Sequence, residues 1–207
     1  MGHLDTKPYS PAEKSYPRTW NETDLTLSYT RDLGLFKIGG GYTYVGFAAL
    51  NPDEPDRNDL QELSLTVSLN TLLSPTLVII KEVGHSDYWY FKFGISQVFS
   101  FSKMISLNLA ASASYLLGID AVTVPKFDNN SVAMTDKFSN FHDGSVSMGL
   151  PINVTDHITI TPTLAYIFPL TNEARYEIKA LSMKGTATPA DRESSFIIGG
   201  TTVSFTF

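Results

Sequence analysis

The chain has 207 residues, enough for one domain with its own core or for one closed barrel, and no cysteine, which removes disulfides, thiolate metal sites and cysteine nucleophiles. A formal net charge of −6 argues against a nucleic-acid partner, which would need a basic face. Charged residues make up 17% of the chain and aromatics 12%, against roughly 25% charged residues in an average soluble domain.

Residues 1–23 are expected to be irregular, because Pro8, Pro11 and Pro17 oppose a strand there. They hold no apolar signal-peptide core. The period then becomes two, the mark of half-buried strands, and nine strands are predicted: 24–30, 34–47, 60–70, 75–83, 87–99, 103–116, 144–152, 157–169 and 195–207. The second carries IGGGYTYVG, 38–46. A phosphate loop would turn into a helix after its glycines, whereas Tyr42, Thr43 and Tyr44 continue the strand, so the glycines make room beside large side chains. The connection 48–59 holds the acidic run NPDEPDRND. It lacks calcium-loop spacing and reads as a solvated loop. In the third strand Leu63, Leu65 and Val67 oppose Glu62, Ser64 and Thr66. In the fifth Phe91 and Phe93 oppose Lys92 and Gly94. In the sixth Leu107 and Leu109 oppose Asn108 and Ser112. The connection 117–143 is very long, and in the last one, 170–194, the spacing of Ala174, Ile178 and Leu181 predicts a short helix over 172–183. The final stretch TTVSFTF alternates to the last residue, with Val203, Phe205 and Phe207 in register.

Three features point to an antiparallel up-and-down transmembrane β-barrel over 24–207. The polar face of the strands is mostly Ser, Thr, Gly and Asn, whereas a soluble sandwich would decorate that face with charge. Every second connection is short and the alternate set contains the long ones, as in outer-membrane barrels. Aromatics gather at both ends of the strands, as Tyr42, Tyr44, Trp89, Tyr115, Tyr166 at one and Tyr29, Phe36, Phe99, Phe205 at the other, like interface girdles. The chain resembles the outer-membrane β-barrel class of Gram-negative bacteria, whose last strand commonly ends in Phe and is read by the barrel-assembly machinery. TTVSFTF matches that assembly signal through Val203, Phe205 and Phe207. From about WNETDLTLSYT onward the chain is also similar to an uncharacterised family of bacterial outer-membrane proteins described as porins. The similarity is carried by LNTLLSPTLVIIKEVGHSDYWYFKFGISQ and by the closing pair ITITPTLAYIFPL and GGTTVSFTF.

The resemblance implies location in the bacterial outer membrane, with lipid bilayer and lipopolysaccharide as partners. Nine strands descend and ascend to an odd count, while bacterial single-chain barrels have even numbers. The expectation is therefore that one or three N-terminal strands are lacking from a barrel of about 10–12 strands. An open seam is then expected between the first and last strands. Lys37, Glu62, Lys92 and Asn108 fall opposite the apolar band and are the candidate lumen-lining residues, because a charge turned to lipid costs roughly 2–4 kcal/mol at mid-depth. No catalytic, cofactor or metal site is expected. His142 beside Ser139 or Ser145 is the nearest approach to a Ser/His pair, and no third orienting group is visible in the sequence. The expected function is a non-enzymatic barrel, at most a narrow porin for small solutes. The alternatives are a structural or surface-contact barrel with a plugged lumen and a secreted soluble β-sandwich binding module.

Overall fold

The computed structural model describes residues 2–4, 20–47, 59–181 and 188–206. Nine long strands form one antiparallel sheet: β2 (Trp20–Asp32), β3 (Phe36–Phe47), β4 (Leu60–Leu69), β5 (Thr76–Glu82), β6 (Tyr88–Ser100), β7 (Ser106–Gly118), β10 (Ser139–Gly149), β12 (Ile158–Pro169) and β13 (Phe196–Phe205). Each pairs with the next long strand along the chain, and the sheet curls into a half-barrel. Short pieces complete it. β1 (Gly2–Leu4) lies on the edge of β2, β8 (Pro125–Phe127) and β9 (Ala133–Lys137) form a separate hairpin, and β11 (Ile152–Asn153) sits in the turn before β12. One helix, α1 (Asn172–Leu181), follows β12, within the span where helical spacing predicts it.

Segment 1–23 departs from the expectation of an irregular tail. Gly2–Leu4 pairs antiparallel with Trp20–Thr23, and β2 begins at Trp20 rather than at residue 24. The prolines lie between these two stretches, outside the described residues, so they do not interrupt either one.

The register fixes the faces. Because the side-chain period is two, each cross-strand partner shares a face with its opposite number. Lys37 pairs with Ser68, Gly39 with Thr66 and Gly41 with Ser64. Thr66 pairs with Val78 and Val78 with Lys92, Lys92 with Ser114 and Val98 with Asn108, and Ser112 with Ser145. Small polar residues and two lysines thus share the concave face. The convex face carries Leu25, Leu27, Tyr29, Leu63, Leu65, Phe91, Phe93, Leu107, Leu109, Val146, Met148, Leu164, Tyr166, Val203 and Phe205. Leu27 is 77% exposed, Tyr29 73% and Leu63 51%. A domain that hides its apolar face against water would show the opposite polarity.

The glycine run continues the strand as its sequence suggests, but the side chains that crowd Gly39 and Gly41 are small ones, Thr30, Ser28 and Ser64, rather than large aromatics. β3 passes straight through Gly39–Gly41. A Cβ on Gly39 would come 2.9 Å from Thr30 Oγ1, and one on Gly41 3.0 Å from Ser64 Oγ. A side chain at either position would require Thr30 of β2 or Ser64 of β4 to move on the concave side.

The connections sort by end. At one end are 33–35, 70–75, 101–105 and 150–157, and at the other 48–59, 83–87, 119–138 and 170–195. The buried apolar cluster of Leu116, Val124, Phe138 and Ala174, with Tyr88 and Tyr90 packed on it, lies at the long-loop end. There α1 and the 119–138 connection fold over the concavity.

Candidate functional site

A break in register builds the rim of the concave face. Phe141 pairs with Tyr115 and Gly144 with Ala113, so two residues on β10, His142 and Asp143, face the single Ser114 on β7. Such a bulge turns consecutive side chains the same way. His142 and Asp143 both reach the concave side here. His142 Nδ1 lies 2.9 Å from Asp143 Oδ2, and its Nε2 lies 2.5 Å from Glu177 Oε2 on α1. Carboxylates only accept, so both ring nitrogens donate and the ring carries a charge. Asp143 Oδ2 also accepts from Ser114 Oγ at 2.6 Å and from Tyr90 OH at 2.9 Å, and the Asp143 N–H donates to Ser114 Oγ at 2.9 Å. Ser114 and Glu177 are buried, which makes each of these bonds strong and its loss costly.

A cavity of about 790 Å³ opens beside this network. Its apolar walls include Ile80, Leu116, Val124, Phe127, Ile178 and Phe196, and its polar groups are Glu62, Ser86, Tyr88, Tyr90, Thr123, His142 and Glu177. Tyr88 OH donates to Glu62 Oε1 at 2.7 Å. No Lys or Arg is among the described residues that line it. Next to it on β5, buried Glu82 accepts through Oε1 from the N–H groups of Gln61, Gly84 and His85 at 3.1, 2.7 and 3.2 Å, and ties down the 83–87 turn.

Two smaller concave hollows hold the lysines. Lys37 lies with Ser28, Thr30, Ser64, Thr66 and Ser68 around about 410 Å³. Lys92 lies with Thr76, Ser96, Ser112, Ser145 and Ser147 around about 210 Å³. Hydroxyls of this kind solvate an ammonium group without neutralising it.

The four candidate lumen residues therefore share one face but not one site. Lys37 and Lys92 occupy separate hollows, Glu62 belongs to the rim cavity, and Asn108 sits toward the short-turn end with a buried Oδ1 that has no hydrogen-bond partner among the described residues. Of the C-terminal residues, Val203 and Phe205 are exposed on the convex face, and Phe207 lies outside the described residues. The Ser/His pairing weighed from sequence is not assembled. Ser139 Oγ lies 3.0 Å from Tyr115 OH and Ser145 Oγ 2.7 Å from Ser112 Oγ, while His142 is held by two carboxylates the sequence did not suggest. Asp53, Glu54 and Asp56 of the acidic loop lie outside the described residues. Among the described residues no group of three or more His, Asp or Glu could hold a metal ion. No helix among them is long and apolar enough to cross a membrane, which says nothing of strands.

No protein-family model matches the chain, and no curated protein matches it.

Proposed function

We propose that the curled sheet is the wall of a transmembrane β-barrel in the outer membrane of a Gram-negative bacterium, a narrow porin that passes small solutes by passive diffusion. The observation that carries this reading is the inverted polarity of the sheet, with leucines and aromatics exposed on the convex side and hydroxyls and lysines on the concave side. Lipid is the solvent that such a convex face fits. The segregation of long and short connections to opposite ends supports the same reading. Val203 and Phe205 on the lipid side would serve the assembly machinery, and the long-loop end would meet lipopolysaccharide.

Closure of the barrel is a matter of direction. β2 and β13 both run from the long-loop end to the short-turn end, so they cannot pair antiparallel with each other. β1 runs the other way, and occupies the place where an ascending strand would bridge them. A strand in that position, continued to the short-turn end, gives an even, antiparallel barrel whose backbone groups are all paired, as hydrocarbon requires.

A plugged, non-conducting barrel is the second reading. It is favoured by the packing of α1 and the 119–138 connection over the concavity at the long-loop end. Two measurements test the pair. The protein should partition into detergent and migrate differently on a gel with and without boiling, and reconstituted bilayers should show small, steady conductance steps. A monodisperse protein in detergent-free buffer sinks the membrane reading, and a heat-modifiable protein without conductance selects the plugged barrel.

A further inference from the structure

The rim cavity is unlike the two lysine hollows. It is large enough for a small organic molecule, its walls are mainly aliphatic and aromatic, and its polar lining includes two hydrogen-bonded pairs, Tyr88 with Glu62 and His142 with Glu177. We propose that it is a binding site for a small amphipathic cation, an aromatic or branched hydrocarbon body carrying one ammonium group. The assignment does not depend on the sheet being a membrane wall, since the cavity is bounded by the chain's own strands, loop and helix.

Charge chooses the ligand class. Of the carboxylates that line the cavity, Glu177 is taken by the His142 ring, which also holds Asp143 behind it. Glu62 is not offset. Its Oε1 accepts from Tyr88, its other oxygen has no donor among the described residues, and the residue beside it on β5 is another acid, Glu82. A carboxylate at the wall of an apolar cavity, with no Lys or Arg among the described residues that line it, repels an anion and leaves a neutral molecule with an unpaired polar partner. An ammonium group placed against Glu62 removes that deficit while its hydrocarbon body covers Leu116, Val124 and Phe196. The hydroxyls of Tyr88 and Tyr90 are already committed as donors to Glu62 and Asp143, so they fix the acidic groups and do not compete for the cation.

Three probes of matched shape test this on the full chain, in the detergent or buffer where it is monodisperse: 2-phenylethylammonium, 2-phenylethanol and 3-phenylpropionate, titrated calorimetrically. The ammonium probe should bind about tenfold or more tightly than the alcohol, with the carboxylate weakest. Glu62→Gln, which keeps the acceptor for Tyr88, should weaken the ammonium probe by about tenfold and leave the alcohol within about twofold. Ile178→Trp fills the cavity from α1, outside the sheet, and should abolish binding of the ammonium probe; it tests the same site if Glu62→Gln loses the fold. Equal binding of the three probes, preference for the carboxylate, no binding of the ammonium probe, an ammonium affinity untouched by Glu62→Gln, or ammonium binding that survives Ile178→Trp each overturns the proposal.

Discussion

Ser114 is 1% exposed, and its hydroxyl is used as both donor and acceptor by Asp143. Ser114→Ala strips the Asp143 N–H of its partner and the carboxylate of one donor in a place water does not reach. The expected loss is about 1–3 kcal/mol in urea unfolding, the cost of leaving a buried polar group unpaired. Ser139→Ala, which removes an exposed contact to Tyr115, should stay within about 0.5 kcal/mol. A smaller gap between the two variants would mean that the rim network is ornamental. Alternation placed Ser114 on the polar face correctly, whereas Ser139 fell in the predicted connection 117–143 and lies in β10 paired with Leu117. The sequence could not show His142 meeting Glu177, which lies 35 residues away on a different element. The bulge that aims His142 inward was equally hidden, since nothing in SNFHDGS marks an extra residue in the strand.

At the scale of elements, α1 is tied to the sheet end by side chains in its first turn and middle. Glu173 in its first turn pairs with Lys126 of β8 and accepts from Asn140 Nδ2 of β10 at 2.5 Å. Lys126, and then Asn140, hold the Glu173 carboxyl below the ordinary carboxylate range. The sign follows from that depression. The tether is at full strength above the ordinary carboxylate value and is lost as the pH falls through the lowered one. Glu173 in turn raises Lys126, so the pair persists on the alkaline side until lysine itself deprotonates. Amide exchange across α1 should therefore be steady near neutral pH and accelerate at acid pH beyond the intrinsic trend, and Glu173→Gln should remove that acid dependence. The helix was legible from the spacing of Ala174, Ile178 and Leu181. The β8–β9 hairpin was not, although DNNS between its strands is a turn composition, because Pro125 and the short arms leave no period to read. Its strands gain their order from Val124 and Phe138, which pack under the loop, a tertiary effect without a local trace.

For the whole molecule, the exposed convex face makes the solvent an experimental variable. Leu65 is 44% exposed near the middle of β4. Leu65→Arg should cost about 2–4 kcal/mol in a protein refolded into bilayers if that face meets hydrocarbon, whereas the same change on a water-facing surface stays within about 0.5 kcal/mol. Urea titration of both proteins in vesicles measures the difference, and a neutral Leu65→Arg rejects the lipid-facing assignment. The nine long strands, their order and their faces were legible because a strand's period survives any tertiary context that buries one side. The shared direction of β2 and β13, which keeps them from pairing antiparallel, was legible from strand parity alone. Gly2–Leu4 was not, since three residues carry no period.

The pairing of each long strand with its neighbour along the chain also sets an order of events. No contact in the sheet waits for the two halves of the chain to find each other. The largest spans to be closed are the 119–138 connection before β10 and the 170–195 connection before β13, and closure entropy grows only slowly with such lengths. Hairpins can therefore be added one at a time to either growing edge, each finding its template already formed. Mostly local pairing of this kind favours rapid folding for an all-β chain, and it spares a protein with so much exposed leucine from a long life as an unpaired strand in water.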